Sequence, residues 1–199
     1  MNTNLKEDIT TMLRRMILEI ILHPQHLQIK TTGLTRSMTI NIQAHKGDTS
    51  RIIGTSGAHF RAFKALMAAM GARRGITVTM PKVQEPVIGE ADNYPPLRES
   101  DEWPQVKIME LVRDVALAIF KYPEAVKVLT QDGEGAVTAV ELLVDKSEKL
   151  LADALQPHLE TLLEAIGNTH GRTIKFLIVP SAESEQQPDS ADGRFSRTH

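Results

Sequence analysis

The amino-acid sequence predicts an α+β protein made of two tandem units, each with the element order α-β-β-α-α-β. Three observations support this prediction. Apolar residues recur at helix or strand spacing in successive segments of residues 5–80. The same succession of segments recurs over residues 105–180. A stretch from Pro81 to Pro104, with five prolines and no sustained period, separates the two units.

The first unit begins with a predicted helix over residues 5–22, where apolar residues recur every three or four positions. His23-Pro24 should end it, because a residue that precedes proline avoids the α region. Two strands are predicted next, over residues 26–31 and 37–45. The second alternates apolar and polar residues, which indicates a half-buried sheet strand.

The remainder of the first unit contains two predicted helices and one strand. Asp48 is expected to cap a short helix that ends at Ile53. A longer helix should follow over residues 58–70, with Gly71 as its C-cap, and then a strand over residues 76–80.

The second unit repeats this pattern in a shorter form. Helical residues are predicted over 105–121 and 147–166, the latter with a break or kink at Pro157. Strands are predicted at Val126 and Val128, over residues 138–144 and over residues 173–179. From the end of the second strand to the glycine after the long helix there are 26 positions in the first unit and 22 in the second. The shortfall falls where Gly54 and Gly57 lie in the first unit.

Composition defines the class of protein and the domain limits. Of 199 residues, 41% are hydrophobic and 24% charged, as in globular proteins, and the lack of cysteine excludes disulfides and thiolate metal sites. Neither a membrane-spanning run nor a secretory signal is evident, so a cytoplasmic location without membrane partners is expected. The predicted divisions are a first domain (1–81), a Pro-rich linker (82–104), a second domain (105–180) and a disordered polar tail (181–199).

Charge is unevenly divided between the two units. Residues 1–81 contain 11 Lys or Arg and 4 Asp or Glu, a balance of +7, whereas the other 118 residues contain 12 and 21, a balance of −9. A basic half favours contact with a polyanion such as a nucleic acid. The alternative is that the opposite charges attract the two halves to each other.

The candidate functional motif is Gly54-Thr-Ser-Gly57, which lies between two predicted helices. Two residues without Cβ atoms allow another backbone to approach closely, and the following helix offers N–H groups and the positive end of its dipole to a phosphate. Ile53 would contribute to an apolar floor for bases. The predicted nucleic-acid-binding residues are Arg51, Ile53, Gly54, Thr55, Ser56, Gly57, Ala58, His59, Arg61 and Lys64.

The stretch Ile52-Ile-Gly-Thr-Ser-Gly-Ala-His-Phe resembles the signature of KH domains, and the element order resembles the prokaryotic type II arrangement. Residues 5–80 are similar to the small bacterial KH-domain RNA-binding proteins. The resemblance implies a three-stranded sheet with helices packed on one face. It also implies a groove that holds about four nucleotides of single-stranded RNA through the glycine loop.

The sequence departs from the KH pattern in two places. Both variable loop positions carry hydroxyl residues, Thr55 and Ser56, whereas KH loops usually have a Lys or Arg at one of the two. The second unit resembles the same fold with no Gly-x-x-Gly, and Asp153 in the corresponding region would repel phosphate. This second, degenerate KH-like domain is expected to be structural, to dimerise or to recruit a protein partner.

Other side chains predict no further chemistry. Arg73 and Arg74 either flank the nucleic acid or simply complement a helix end. His23 and His26 lack an evident third ligand, so neither a metal nor a cofactor is expected, and no catalytic constellation points to an enzyme. Two alternatives to RNA binding stay open: a protein-interaction scaffold without nucleic acid, and single-stranded DNA binding.

Overall fold

The computed structural model describes residues 3–34, 36–84, 105–133 and 135–181. These residues form an α+β structure with five α-helices and two mixed sheets. The helices and strands of the first half are α1 (Thr3–Leu18), β1 (Gln28–Thr32), β2 (Ser37–Gln43), α2 (Lys46–Ile53), α3 (Ala58–Arg73), β3 (Thr77–Thr79) and β4 (Val83–Gln84). Those of the second half are α4 (Gln105–Ile119), β5 (Lys127–Asp132), β6 (Val137–Asp145), α5 (Lys149–Thr169) and β7 (Thr173–Ser181). Among the helices described, none has the length and apolar character that a bilayer crossing needs.

The first sheet is built around β2. Strand β1 pairs with it antiparallel, and β3 pairs with it parallel on the other edge. Strand β4 pairs with β2 further along the same edge, and the pairing register shifts by one residue between β3 and β4. Thr39 pairs with Thr79, 40 positions later in the chain, whereas Ile42 pairs with Val83, 41 positions later. The sheet thus extends to residue 84, beyond the predicted domain limit at 81. The rest of the predicted linker and the tail after residue 181 lie outside the described residues.

The second sheet has the order β5-β6-β7 and lacks this interruption. Strand β6 pairs in parallel with β7 from Val137↔Thr173 to Asp145↔Ser181. In both sheets one face is buried: Met38, Ile40 and Ile42 alternate with half-buried polar residues in β2. Helix α3 packs against β3, and α5 packs against β7, so the buried faces are the helix-covered ones.

Asp48 does not cap α2, which corrects the sequence-based expectation. The cap is His45, whose Nδ1 accepts a hydrogen bond from the Gly47 amide at 3.2 Å. Asp48 is fully buried and accepts hydrogen bonds from the amides of Leu22 and His23, both at 2.8 Å. These amides follow α1, which ends at Leu18 rather than at residue 22, and they need an acceptor once the helix has ended.

Glu148 has the same role in the second half. Its carboxylate oxygens accept from the amides of Lys121 and Tyr122 at 2.7 and 3.3 Å. Glu148 is only half-buried, whereas Asp48 is excluded from solvent. The two carboxylates therefore hold equivalent turns in environments of different polarity.

Gly71 lies inside α3 and is not its C-cap, because the helix continues to Arg73. A Cβ atom at this position would lie 2.5 Å from the carbonyl oxygen of Ile76. Gly167 in α5 has the same environment, with the carbonyl oxygen of Arg172 at 2.5 Å from its Cβ position. Each glycine lets the following strand approach the helix closely.

The second half contains one long helix where two were predicted. Helix α5 continues through Pro157 to Thr169, so this half has the order α-β-β-α-β. In the first half the two glycines separate α2 from α3, and the second half has no such pair. A chain without that break continues as a single helix.

The two halves pack through their helices, α3 against α5 and α4, and α1 against α4. Arg15 and Asp114 form an ion pair at 2.5 Å. The two residues occupy equivalent positions in their halves, since Arg15 lies eight residues before His23 and Asp114 lies eight residues before the equivalent Tyr122. Equivalent residues in mutual contact are the property of an isologous, two-fold interface. The apolar helical face of the second half thus pairs with the first half.

A second set of contacts has the same symmetry. Arg74 Nη1 donates to the Ala118 carbonyl at 3.2 Å. The equivalent residues in the opposite halves are His170 and Glu19, whose Nε2 and Oε2 atoms lie 3.8 Å apart. Arg73 also donates to the second half, at the Ile119 carbonyl. Both arginines considered as nucleic-acid contacts therefore bind the C-terminal end of α4.

Replacement of Asp48 by Ala should lower the free energy of unfolding by about 2–3 kcal/mol, because two amides lose a charged acceptor that is fully buried. Replacement of Glu148 by Ala should cost about 1 kcal/mol, since water can reach its amides. Urea denaturation followed by circular dichroism measures both. Equal losses in the two variants would contradict the different burial of the two turns.

The charge reversal Arg15→Asp should destabilise the protein by about 0.5–1 kcal/mol through repulsion from Asp114, and a compensating Asp114→Arg should recover most of that loss. Urea denaturation of the two single variants and the double variant gives the coupling free energy. A coupling indistinguishable from zero would show that the two side chains do not interact in solution.

Candidate nucleic-acid interface

Residues 54–57, called the glycine loop below, connect the C-terminus of α2 to the N-terminus of α3. Gly54 (φ 72°, ψ 173°) and Gly57 (φ 80°, ψ 18°) both adopt positive φ, which glycine tolerates best. The Gly54 amide donates to the Ser50 carbonyl at 2.8 Å, and the Gly57 amide donates to the Gly54 carbonyl at 3.0 Å. These hydrogen bonds fix a sharp turn between the two helices.

The two glycines differ in how closely they are enclosed. A Cβ atom at Gly54 would lie 2.5 Å from His59 Cγ and 2.8 Å from the His59 backbone nitrogen. A Cβ atom at Gly57 would meet only the end of the flexible Arg61 side chain, at 3.2 Å. Gly54 is thus required by close packing, and Gly57 mainly by its backbone angles.

Ser56 also adopts a left-handed conformation, with φ 52° and ψ 24°. Among the described residues it is the only non-glycine with positive φ. Arg61 Nη1 donates to the Ser56 carbonyl at 2.5 Å, and this bond helps to hold the strained residue. Arg61 therefore positions the loop in addition to contributing its charge.

His59 joins the two helices behind the loop. Its Nδ1 donates to the Arg51 carbonyl at 2.6 Å, because a carbonyl oxygen can only accept. This bond uses Nδ1, which leaves Nε2 for any contact with a ligand. His59 is therefore both a structural residue and a candidate binding residue.

The sequence-predicted site residues belong to the end of α2, the glycine loop and the first two turns of α3. Thr55, Ser56, Arg61 and Lys64 are exposed, and the Ile53 side chain is 36% exposed beside them. The Ala58 amide is already used, since it donates to the Thr55 carbonyl. With the Gly57 amide also used, fewer amides are available to a phosphate than the sequence suggested.

The sequence on either side of the loop is basic. From Thr49 to Met80 the sequence contains no acidic residue, and Arg51, Arg61 and Lys64 lie within seven residues of the loop along the chain. No side-chain hydrogen bond caps the N-terminus of α3. An anion at this surface would meet cationic side chains and the positive end of the helix dipole.

The equivalent region of the second half is different. The second turn of α5 carries Asp153, which is exposed and forms an ion pair with Lys149 at 2.8 Å. The helix backbone there is regular and includes no glycine. The described part of the second half therefore presents no second copy of the loop.

Comparison of the chain with models of known protein families found no match, and comparison with curated proteins also found none.

The structure also brings together residues that the sequence did not associate. His23, His45 and Asp48, called the histidine cluster below, place potential metal-ligating atoms within 4.8 Å of one another. His23 and His45 are 22 positions apart, on either side of the β1–β2 hairpin. Only the antiparallel pairing of β1 with β2 brings the two ends of the hairpin together.

Gly54→Ala should destabilise the protein by about 2–4 kcal/mol, since the new Cβ atom would clash with backbone as well as side chain. Gly57→Ala should cost about 1–2 kcal/mol, which is the penalty of a left-handed alanine. Chemical denaturation of both variants tests this order. A larger loss for the Gly57 variant would refute the enclosure of Gly54.

Proposed function

We propose that the chain binds single-stranded RNA, and that the glycine loop of the first half holds the phosphate backbone. The observation that carries this proposal is the loop itself, with two glycines at positive φ and two exposed hydroxyl residues at the start of a helix without a side-chain cap. The flanking sequence from Thr49 to Met80 contains cationic side chains and no acidic residue. Close backbone approach and positive charge are the properties that a phosphate contact requires.

The arrangement of the first half supports a KH-like domain of type II. Its order α1-β1-β2-α2-α3-β3 corresponds to the α-β-β-α-α-β order that the resemblance implies, and its helices cover one face of the sheet. The loop lies between the second and third helices, at the place of the Gly-x-x-Gly motif. The second half, with one helix in place of two, is a degenerate copy.

Each predicted site residue has a role in the proposal. Gly54 and Gly57 admit the nucleic-acid backbone, while the hydroxyls of Thr55 and Ser56 bond to phosphate. Arg51, Arg61 and Lys64 attract the polyanion over a longer range, and the exposed Ile53 side chain contacts a base. His59 offers Nε2 to the ligand, and the second half stabilises the first through the α3–α5 packing.

A protein-interaction scaffold without nucleic-acid binding is the second candidate. Two observations favour it: the amides of Gly57 and Ala58 already have internal acceptors, and three arginines of the basic half bind the second half.

Single-stranded DNA is the third candidate. Competition between RNA and DNA of one sequence separates the two nucleic acids, since RNA alone offers a 2′-hydroxyl.

The double variant Thr55→Asp/Ser56→Asp should bind a mixed single-stranded RNA pool at least about ten-fold more weakly than the unmodified protein, because two carboxylates would face the phosphates. Fluorescence anisotropy at several salt concentrations measures the affinity. Aspartate tolerates the left-handed conformation of Ser56, so the loop should keep its shape.

The matched control is Leu150→Asp/Ala154→Asp, which adds the same charge at exposed positions of α5. Its affinity should stay within about two-fold of the unmodified protein if binding is local to the loop. Equal weakening in both double variants would indicate a net-charge effect. Unchanged binding in the loop variant would exclude the glycine loop as the site, and no binding by the unmodified protein would favour the scaffold.

A further inference from the structure

The histidine cluster combines two imidazoles with a carboxylate that solvent does not reach. Asp48 Oδ2 lies 3.0 Å from His23 Nδ1, and Asp48 has no exposed surface. The rings of His23 and His45 have centroids 4.0 Å apart, and the His26 ring lies 5.4 Å from that of His45. Two imidazoles therefore lie close to the buried carboxylate, and the His26 ring lies beside that of His45.

The second half shows which part of this cluster the fold requires. Glu148 takes the place of Asp48 and holds the equivalent turn. Tyr122 occupies the position equivalent to His23, and Asp145 occupies the position equivalent to His45. Asp145 accepts a hydrogen bond from the Ser147 amide, as His45 accepts one from the Gly47 amide. The turn and the cap thus form without histidine, so the imidazoles exceed the structural need.

The buried charge gives the first half a reason to bind a cation. Glu148 is half-exposed, so water stabilises its carboxylate, but Asp48 depends on neighbouring groups for that stabilisation. A carboxylate removed from water is most favourable when it is paired or coordinates a metal. Imidazole nitrogens with a carboxylate oxygen are a ligand set suited to Zn²⁺ and related divalent transition metals.

We propose that His23, His45 and Asp48 form a site for a divalent transition-metal ion such as Zn²⁺, with water as a further ligand. The ion would take the position between His23 Nδ1 and Asp48 Oδ2, while Oδ1 keeps its bond to the Leu22 amide. Tetrahedral zinc bonds of about 2.0–2.2 Å place neighbouring ligand atoms about 3.3–3.6 Å apart. The 3.0 Å separation of His23 Nδ1 and Asp48 Oδ2 would widen by a few tenths of an ångström to admit the ion. A rotation of the half-buried His45 would bring one of its nitrogens to the same position.

The position of the site gives metal binding a structural consequence. The ion would join the turn that follows α1 to the first turn of α2, the helix whose other end leads into the glycine loop. This site is independent of the proposed RNA binding, because none of its ligands belongs to the glycine loop.

Isothermal titration of the full chain with zinc chloride, after treatment with a chelator, tests the proposal. We expect binding with a stoichiometry of one and a higher melting temperature in the presence of zinc. The variants His23→Tyr and His45→Asn should each bind at least about ten-fold more weakly. Tyrosine is compatible with this turn in the second half, and asparagine can still cap α2.

His158→Gln is the matched control, since it removes a half-buried histidine of α5 outside the cluster. It should bind zinc as the unmodified protein does. Nitrogen-15 spectra of the histidine rings in the unmodified protein add a readout that needs no variant, and zinc should shift the signals of His23 and His45. The proposal is wrong if zinc does not bind with a stoichiometry of one, if both cluster variants keep full affinity, or if other histidines shift instead.

Discussion

The packing of α3 against α5 and α4 is the contact on which the arrangement of the molecule depends. Helix α3 covers its own sheet at β3 and also carries the junction with the second half. Its C-terminal Arg73 and Arg74 bind the end of α4, while its N-terminus forms one side of the glycine loop. A helix of 16 residues is about 24 Å long, so one rigid element separates the candidate binding surface from the junction.

The contacts between the halves follow an approximate two-fold symmetry, so the two halves of the chain pack as the two subunits of a homodimer do. Arg15 contacts Asp114, the residue at its own equivalent position. The contact of Arg74 with Ala118 is related by the same symmetry to that of His170 with Glu19. The helical face that a single unit would leave uncovered is buried here by the other unit. Part of the charge asymmetry in the sequence serves this junction, since Arg15, Arg73 and Arg74 of the basic half contact the second half.

The sequence allowed the elements with strong local patterns to be predicted. The alternation in β2 predicted its buried face, and the glycine pair correctly predicted a break between two helices. Asp48 and Gly71 were misinterpreted because their partners, the Leu22 amide and the Ile76 carbonyl, depend on tertiary packing. The histidine cluster could not be predicted for the same reason, since the pairing of β1 with β2 brings its members together. Helix α5 continues as one helix through Pro157, where the sequence predicted a break or kink.

The most direct test of RNA binding is a titration of the ¹⁵N-labelled full chain with a short single-stranded RNA, followed by amide chemical shifts. Binding at the glycine loop predicts saturable shifts of the amides of Thr55, Ser56, Gly57 and the first turn of α3. The amides of the first turn of α5 should stay unchanged. Shifts confined to the second half, or no saturable shift at any RNA concentration tested, would contradict RNA binding through this loop.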